Sequence, residues 1–303
     1  MVEKIVIFGG SGFLGKRLID ALKNNFQIVV ASRNADAVLN LKDKNIKIEQ
    51  YSDNVNSYTD IIEGSQTVVN FAGASIADKR WSSEYKKIVY DSRVRTTSLI
   101  SEAIKNCNNK PYTFVSTSAT GVYGNRGDEL LYEDSVTGND FLADLCKDWE
   151  KEALKTVQYG VRTVCIRTGV VLDKKDGAFR KMSQPFKFFV GGALGSGKQY
   201  IPWIHVNDII NIYREAIINI SLNGIVNGTA PNPVTNIEFS KVLGKVLNRP
   251  SIFKVPEFAL KLIAGEFAEF LLGGQRAMPK KLLDLGFRFE YKEIMAAVEN
   301  ILK

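Results

Sequence analysis

Short apolar runs alternate with amphipathic segments over the first half of the chain. Six runs rich in Val, Ile and Phe predict buried strands, and they cover residues 3–8, 27–31, 46–49, 66–71, 112–117 and 161–166. Apolar side chains at helical spacing predict helices between these strands, at residues 13–23, 83–107 and 139–159. Strands that alternate with helices form a parallel sheet covered on both faces, so this half predicts a doubly wound α/β domain.

The rhythm changes after residue 168. Residues 168–202 are rich in glycine and hold few long periodic segments. Helices are then predicted near residues 208–219, 236–247, 256–272 and 291–302. We therefore predict a first domain over residues 1–167 and a smaller, mostly helical lobe over residues 168–303, with the two interleaved.

The composition is that of an ordinary globular protein. The chain has 303 residues, of which 45% are hydrophobic and 24% are charged. No uncharged apolar run approaches the ~18 residues of a membrane span, and the run at residues 5–8 is too short for a secretory signal. We expect a cytoplasmic protein without a membrane partner, and the pattern leaves homo-oligomerisation open.

The charge and the ligand-type residues exclude some functions. The net charge is +7, but Lys and Arg are spread along the chain, which favours solvated surface charge first, phosphate-bearing ligands second and nucleic acid last. The three cysteines (Cys107, Cys146 and Cys165) and the single histidine, His205, show no metal-ligand spacing. We predict no metal site and no nucleic-acid partner.

A glycine-rich turn separates the first predicted strand from the first helix. The turn combines GxGxxG with GxxGxxG. Its glycines allow a tight turn and a close backbone approach to a pyrophosphate, and the helix N-terminus offers free N–H groups to the phosphates. Because a strand precedes it and a helix follows, the pattern predicts a Rossmann-type dinucleotide site. The residues expected to bind the dinucleotide here are Gly9, Gly10, Ser11, Gly12, Phe13, Leu14 and Gly15.

The end of the second predicted strand indicates which dinucleotide is bound. NAD-binding proteins place an Asp or Glu there to hold the ribose 2′-hydroxyl, whereas this chain has Ser32 and Arg33. Arg33 is suited to pair with a 2′-phosphate, and Ser32 to donate to it. We predict a preference for NADP(H), with NAD(H) still open because Asp36 lies close by. Ala72 and Gly73, after the fourth strand, are expected to contact the same cofactor.

Further motifs occur along almost the whole chain. They include residues 116–124 (STSATGVYG), 140–143 (DFLA), 191–199 (GGALGSGKQ), 203–208 (WIHVND) and 227–235 (NGTAPNPVT). With these and the glycine turn, the chain resembles the extended short-chain dehydrogenase/reductase (SDR) superfamily. More narrowly, it resembles the atypical branch of epimerase-family, sugar-nucleotide-epimerase-like proteins. The resemblance implies a Rossmann domain with an interleaved C-terminal substrate lobe.

The resemblance also implies a catalytic apparatus, of which the chain has only one part. Ordinary members use a Ser or Thr after the fifth strand and a Tyr-x-x-x-Lys pair on the next helix, where this spacing puts both side chains on one face. Ser118 stands at the serine position, but none of the eleven tyrosines has a lysine four residues on. Catalysis by the usual pair is therefore excluded. Tyr123 is the expected substitute proton donor, ahead of Lys147 and Asp148.

The remaining candidates concern the substrate. The resemblance implies that residues 191–199 form a loop over the pocket, where basic side chains are suited to an anionic substrate. A hydrolase triad of Ser118, His205 and Asp208 is not expected because no GxSxG elbow surrounds the serine; Asn207 or Asp208 is expected to cap a helix instead. The candidate substrate residues are Arg80, Trp81, Arg93, Lys198, His205 and Arg276.

Two functions stay open at this point. The first is an NADP(H)-dependent oxidoreductase or epimerase-like enzyme that acts on a small, anionic or nucleotide-linked substrate. The second is an NADPH-binding sensor or regulatory protein without fast turnover. Because one fold supports many chemistries, the choice between them depends on the geometry of the site.

Overall fold

The computed structural model describes residues 3–41 and 43–303, so residues 1, 2 and 42 of the predicted first domain lie outside the described part. The strands are β1 (Lys4–Phe8), β2 (Gln27–Ser32), β3 (Ile46–Gln50), β4 (Thr67–Asn70), β5 (Thr113–Ala119), β6 (Leu130–Leu131), β7 (Arg162–Thr168), β8 (Val170–Leu172), β9 (Gly192–Leu194), β10 (Tyr200–Ile201), β11 (Trp203–His205), β12 (Gly224–Gly228), β13 (Val234–Thr235), β14 (Phe253–Val255) and β15 (Arg276–Ala277).

Helices cover both faces of the main sheet and build most of the C-terminal lobe. The α-helices are α1 (Phe13–Leu22), α2 (Val55–Ile62), α3 (Ser83–Asp91), α4 (Val94–Asn106), α5 (Phe141–Leu154), α6 (Gly177–Lys187), α7 (Val206–Ile218), α8 (Asn236–Leu247), α9 (Glu257–Ala264), α10 (Phe267–Leu272), α11 (Lys280–Asp284) and α12 (Ile294–Leu302). Three 3-10 helices cover Asp36–Leu41, Thr120–Tyr123 and Lys155–Tyr159.

The main sheet has seven parallel strands in the order β12-β7-β5-β4-β1-β2-β3. Alternate side chains of β1 enter opposite cores, since successive residues of a strand point to opposite faces. Ile5 and Ile7 pack in the core beneath α1 and α7, whereas Val6 and Phe8 pack in the core beneath α2 and α4. Burial on both faces explains the continuous apolar runs in the sequence. The predicted Rossmann-type α/β fold is confirmed.

The C-terminal lobe is helical with short two-stranded ladders. Its core contains Phe179 of α6, Trp203 of β11, Phe239 of α8 and Val298 of α12. Four small ladders pair β8 with β11, β9 with β14, β10 with β13, and β6 with β15. Within the described ranges, no helix has both the length and the apolar character that a bilayer crossing requires.

Several element predictions were wrong or incomplete. The predicted helix over residues 83–107 is two helices, α3 and α4, and that over residues 256–272 is also two, α9 and α10. The helices α2, α6 and α11 were not predicted. The strand β12 was not predicted either, although it pairs with β7 over five residues and completes the main sheet. Since β12 follows residue 168, the predicted C-terminal lobe supplies one strand to the sheet of the predicted first domain.

Candidate functional site

The glycine turn after β1 is built so that side chains would obstruct it. Gly9 has φ +74°, and a Cβ there would lie 2.7 Å from the backbone nitrogen of Ala72. A Cβ on Gly15 would lie 2.5 Å from the carbonyl oxygen of Gly9, so the start of α1 packs directly on the turn. Gly12 occupies the N-cap of α1 and provides no side-chain cap. The geometry leaves the positive end of the helix facing the turn, as an anionic ligand requires.

The predicted specificity residues follow β2 at the surface. Ser32 forms a local turn, with its hydroxyl donating to the Asn34 carbonyl oxygen at 2.8 Å. Arg33 is exposed, and within residues 3–41 and 43–303 it forms no salt bridge. Burial raises the pKa of Tyr51, and the positive charge of Arg33 opposes that rise, so the guanidinium lies near this ring. A free guanidinium at this edge is available to an anionic group.

The segment after β4 is tied to the junction between α3 and α4. The backbone N–H of Ala74 donates to the Ser92 hydroxyl at 2.9 Å. Gly73 packs on Arg93, because a Cβ there would lie 3.1 Å from the guanidinium carbon. The predicted cofactor residue Gly73 and the predicted substrate residue Arg93 are therefore direct neighbours.

A buried polar network begins at the end of β5. Ser118 donates from its hydroxyl to Glu150 Oε1 of α5 at 2.6 Å. Arg167 of β7 binds the same carboxylate through two hydrogen bonds of 2.8 and 2.9 Å. The side chains of this ion pair are only 5% and 8% exposed. Ser118 therefore points into an ion pair that fixes α5 on the sheet.

Tyr123 belongs to the same network. Its hydroxyl lies 2.7 Å from Asn227 Oδ1 and accepts from Arg167 at 2.9 Å. The Tyr123 side chain is fully buried, and burial raises the pKa of its phenol to about 12. A phenol held in this way is a poor proton donor to a substrate near neutral pH.

The face of α5 that meets β5 carries no tyrosine and no lysine at the usual four-residue spacing. Leu142 and Cys146, four residues apart, occupy this buried face. Burial raises the pKa of the Cys146 thiol to about 12, so the thiolate is disfavoured. Lys147 and Asp148 are engaged elsewhere: Lys147 pairs with Asp144 at 2.6 Å, and Asp148 accepts from Tyr90 at 2.7 Å.

A cavity of about 270 Å³ lies where α5, the 3-10 helix after β5 and the C-terminal lobe meet. Its aromatic walls are Trp81, Phe141 and Phe270, with the Trp81 and Phe141 ring centroids 5.3 Å apart. Beside the cavity, the ammonium of Lys86 pairs with Glu266 and lies 5.7 Å from the Trp81 ring centroid and 5.2 Å from that of Phe141. The other lining residues include three carboxylates and two amides. These polar groups are Asp140, Glu266, Glu269, Asn125 and Gln275.

The other predicted substrate residues do not line this cavity. Arg80 packs on the backbone of Gly265, and Lys198 is exposed. Arg276 stacks on Tyr200, with its guanidinium carbon 4.9 Å from the ring centroid. Among the six candidates, only Trp81 is a lining residue.

His205 and Asp208 fasten α7 to the C-terminal segment. His205 caps α7 by accepting from the Asn207 N–H at 3.1 Å, so the prediction that Asn207 or Asp208 provides the cap was wrong. Asp208 accepts from the backbone N–H groups of Glu290 and Tyr291, at 2.7 and 3.0 Å. Ser118 is bound to Glu150 instead, so the three residues form no triad, as expected.

Sequence reasoning missed the most buried charges of the site, Glu150 and Arg167. A signal was present, because each charge interrupts an apolar pattern: Arg167 is the last buried residue of β7, and Glu150 lies on the apolar face of α5. Charged side chains are rarely fully buried unless they are paired, so two such interruptions indicate a buried pair.

The strands β1, β4 and β5 bring their carboxyl ends to one edge of the sheet, and the glycine turn meets that edge at the point where the strand order reverses. This arrangement defines a dinucleotide-binding α/β protein, because ligands of such sheets lie outside the carboxyl ends at this reversal. The comparison with known families is specific. The chain belongs to the NAD dependent epimerase/dehydratase family, whose profile matches residues 5–227. A second profile, a domain of unknown function (DUF1731), matches residues 255–301.

Relatives match over almost the full chain. The "Epimerase family protein SDR39U1 homolog, chloroplastic" of Arabidopsis thaliana is 41% identical over 99% of this chain and 86% of its own. The "Epimerase family protein YfhF" of Bacillus subtilis is 36% identical over 98% of this chain and 97% of its own. Among solved structures, human epimerase family protein SDR39U1 with NADPH superposes with a TM-score of 0.86, at 28% identity and 98% coverage of both chains.

Proposed function

We propose that this protein binds NADPH at the glycine turn and acts as an oxidoreductase or epimerase-like protein on a small molecule held in the adjoining cavity. The observation that carries the cofactor assignment is Arg33, an exposed guanidinium without a salt bridge in the described part of the chain, at the position where an NAD-binding protein has an acid. The human relative with NADPH supports the same assignment.

The turn fits a dinucleotide by shape as well as by charge. The space that a Cβ on Gly9 or Gly15 would enter is occupied by backbone, so the turn is as compact as a pyrophosphate site requires. The first N–H groups of α1 would bind the pyrophosphate, and Arg33 and Ser32 would bind the 2′-phosphate. Ala72 and Gly73 would lie beside the nicotinamide half of the dinucleotide. The cofactor supplies hydride transfer, while the chain orients the substrate and excludes water.

The cavity favours a hydroxyl-rich, neutral group. Aromatic faces pack on the C–H faces of a sugar-like ring, and carboxylates and amides accept hydrogen bonds from its hydroxyls. Glu266 is paired with Lys86, whereas Asp140 and Glu269 form no salt bridge in the described part of the chain and oppose an anionic group at this place. The anionic part of a nucleotide-linked substrate would therefore lie outside the cavity, where we propose Lys198 and Arg276 as its binding residues.

A second function, NADPH sensing without fast turnover, is favoured by one observation. The hydroxyls of both catalytic candidates, Ser118 and Tyr123, are occupied by the buried network. We propose that both residues are positioning residues, which hold α5 and the end of β5 in place. If the protein is an enzyme, the proton for its reaction must come from the substrate, from water or from another side chain.

Side-by-side fluorescence titrations with NADPH and NADH test the cofactor assignment. We expect NADPH to bind at least ~10-fold more tightly, a difference of about 1.4 kcal/mol, and Arg33→Gln to remove most of that difference. The matched control is Arg95→Gln, because Arg95 is also an exposed arginine. Equal binding of both dinucleotides by the unaltered protein would contradict the role of Arg33.

Single-turnover oxidation of bound NADPH separates the enzyme from the sensor. A panel of neutral sugars, nucleotide-linked sugars and simple carbonyl compounds should contain a substrate if the protein is an enzyme. If NADPH binds but stays intact across the panel, the sensor function is favoured. The predicted cytoplasmic location stays a prediction.

A further inference from the structure

The break between α3 and α4 places an arginine beside the cofactor segment. Arg93 is the N-cap residue of α4, and its own side chain forms no cap. The preceding residue, Ser92, accepts from the Ala74 N–H at 2.9 Å and donates to the Val89 carbonyl oxygen at 3.0 Å. These two bonds fix the helix break against the loop that follows β4, so the position of Arg93 is determined by the fold.

The guanidinium of Arg93 is desolvated and has no counter-charge. It donates to the Val89 carbonyl oxygen at 3.1 Å and lies over the Trp149 ring, 5.4 Å from the centroid. Within the described ranges, no carboxylate lies within salt-bridge distance of it. Burial lowers the pKa of this guanidinium, which indicates that the protein alone does not compensate the charge.

The site around Arg93 belongs to the nicotinamide half of the proposed dinucleotide site. The adenosine end lies toward β2, where Arg33 follows the strand, and the dinucleotide crosses the strand-order reversal between β1 and β4. The other half must then lie on the β4–β5 side. Arg93 packs on Gly73 of the loop after β4, and its partner Trp149 lies on α5, which covers β5.

We propose that Arg93 is a cofactor-binding residue that favours the reduced dinucleotide over the oxidised one. The inference rests on the proposed NADPH site. The oxidised nicotinamide ring carries a positive charge and the reduced ring is neutral, so an uncompensated cation nearby raises the free energy of the oxidised form only. Arg93 thereby supplies the fixed cation that the missing lysine of the family pattern would have supplied, from α4 rather than from α5.

The test compares the dissociation constants of NADPH and NADP⁺ for the full chain and its variants. NADPH is followed by fluorescence, and NADP⁺ by calorimetry. The unaltered protein should bind NADPH more tightly than NADP⁺. Arg93→Met should lower the ratio of the NADP⁺ dissociation constant to the NADPH dissociation constant about ten-fold. This change corresponds to ~1.4 kcal/mol or ~30 mV for a two-electron couple. Arg93→Lys keeps the charge and should keep most of the ratio.

Arg95→Gln is the matched control, since Arg95 follows two residues later in the same helix, is 61% exposed and pairs with Asp53. It should leave the ratio unchanged. An Arg93→Met variant that weakens both dinucleotides equally would overturn the inference, because loss of packing alone has that effect. If Arg93→Met does not fold, loss of the ratio in Arg93→Lys would likewise overturn it. Absence of NADPH binding to the unaltered protein would refute the proposed function instead.

Discussion

Replacing Arg167 by methionine removes the cation from the most buried ion pair described above. The change deletes two hydrogen bonds to Glu150, of 2.8 and 2.9 Å, one to the Tyr123 hydroxyl of 2.9 Å and one to the Glu133 carbonyl oxygen of 3.1 Å. It leaves a carboxylate whose side chain is 8% exposed. Because a hydrogen bond to a charged group contributes roughly 1.5–3 kcal/mol, and breaking a buried pair costs about 3–5 kcal/mol, we expect the free energy of unfolding to fall by ~3–5 kcal/mol.

Urea denaturation, monitored by circular dichroism, measures this loss of unfolding free energy. A double-mutant cycle with Glu150→Gln isolates the pair, since the double variant should lose much less than the two single variants together. The control is Lys280→Met, which breaks an exposed pair with Asp284 and should cost at most ~1 kcal/mol. A loss below ~1 kcal/mol for Arg167→Met, or additive single effects, would refute the conclusion that this pair is desolvated.

Three further perturbations test other parts of the site. Gly15→Ala should weaken NADPH binding at least ten-fold, because the new Cβ meets a backbone oxygen at 2.5 Å. The control is Gly160→Ala, outside the turn, where a Cβ meets nothing within 4 Å and NADPH binding should not change. Equal binding by both variants would contradict the compact turn. Tyr123→Phe should lower the free energy of unfolding by ~1–3 kcal/mol in urea titrations. It should leave the NADPH dissociation constant within two-fold. Loss of turnover at unchanged stability would instead assign Tyr123 a chemical role. Burial raises the pKa of Asp208 to about 6, so its stabilising contribution is fully present below pH ~4 and is lost as pH rises through about 6. The stability of Asp208→Asn, measured by urea unfolding from pH 4 to 8, should lack this fall, and identical pH profiles would contradict the shift.

The central sheet could be predicted from the sequence because both of its faces are buried. Six of its strands are continuous apolar runs, and burial on two sides leaves few other ways to satisfy such runs. The strand β12 (GIVNG) could not be found in this way. It is short, and two of its five residues are glycine. Its place in the sheet depends on pairing with β7 rather than on its own composition.

The glycine turn could be predicted for a similar reason, since its function requires particular backbone conformations that one residue type supplies. The hydrogen-bond partner of a hydroxyl could not be predicted. Ser118 and Tyr123 follow β5 as the family resemblance implies, but what their oxygens contact depends on Glu150 and Arg167, which come from other elements. Likewise, the helix break at Ser92 depends on the Ala74 amide, which lies on a loop remote in sequence.

The late position of β12 in the chain affects how the protein can be made. A nascent or truncated chain that ends near residue 167 already contains the glycine turn and six of the seven sheet strands. Its β7 would be an open edge, and a row of unpaired N–H and C=O groups is a template for pairing with other chains. In the complete protein β12 occupies that edge, and Asn227 of β12 donates to the Met278 carbonyl oxygen just before α11. The C-terminal half therefore covers an edge of the N-terminal sheet that a chain cut after β7 would leave open for pairing with other chains.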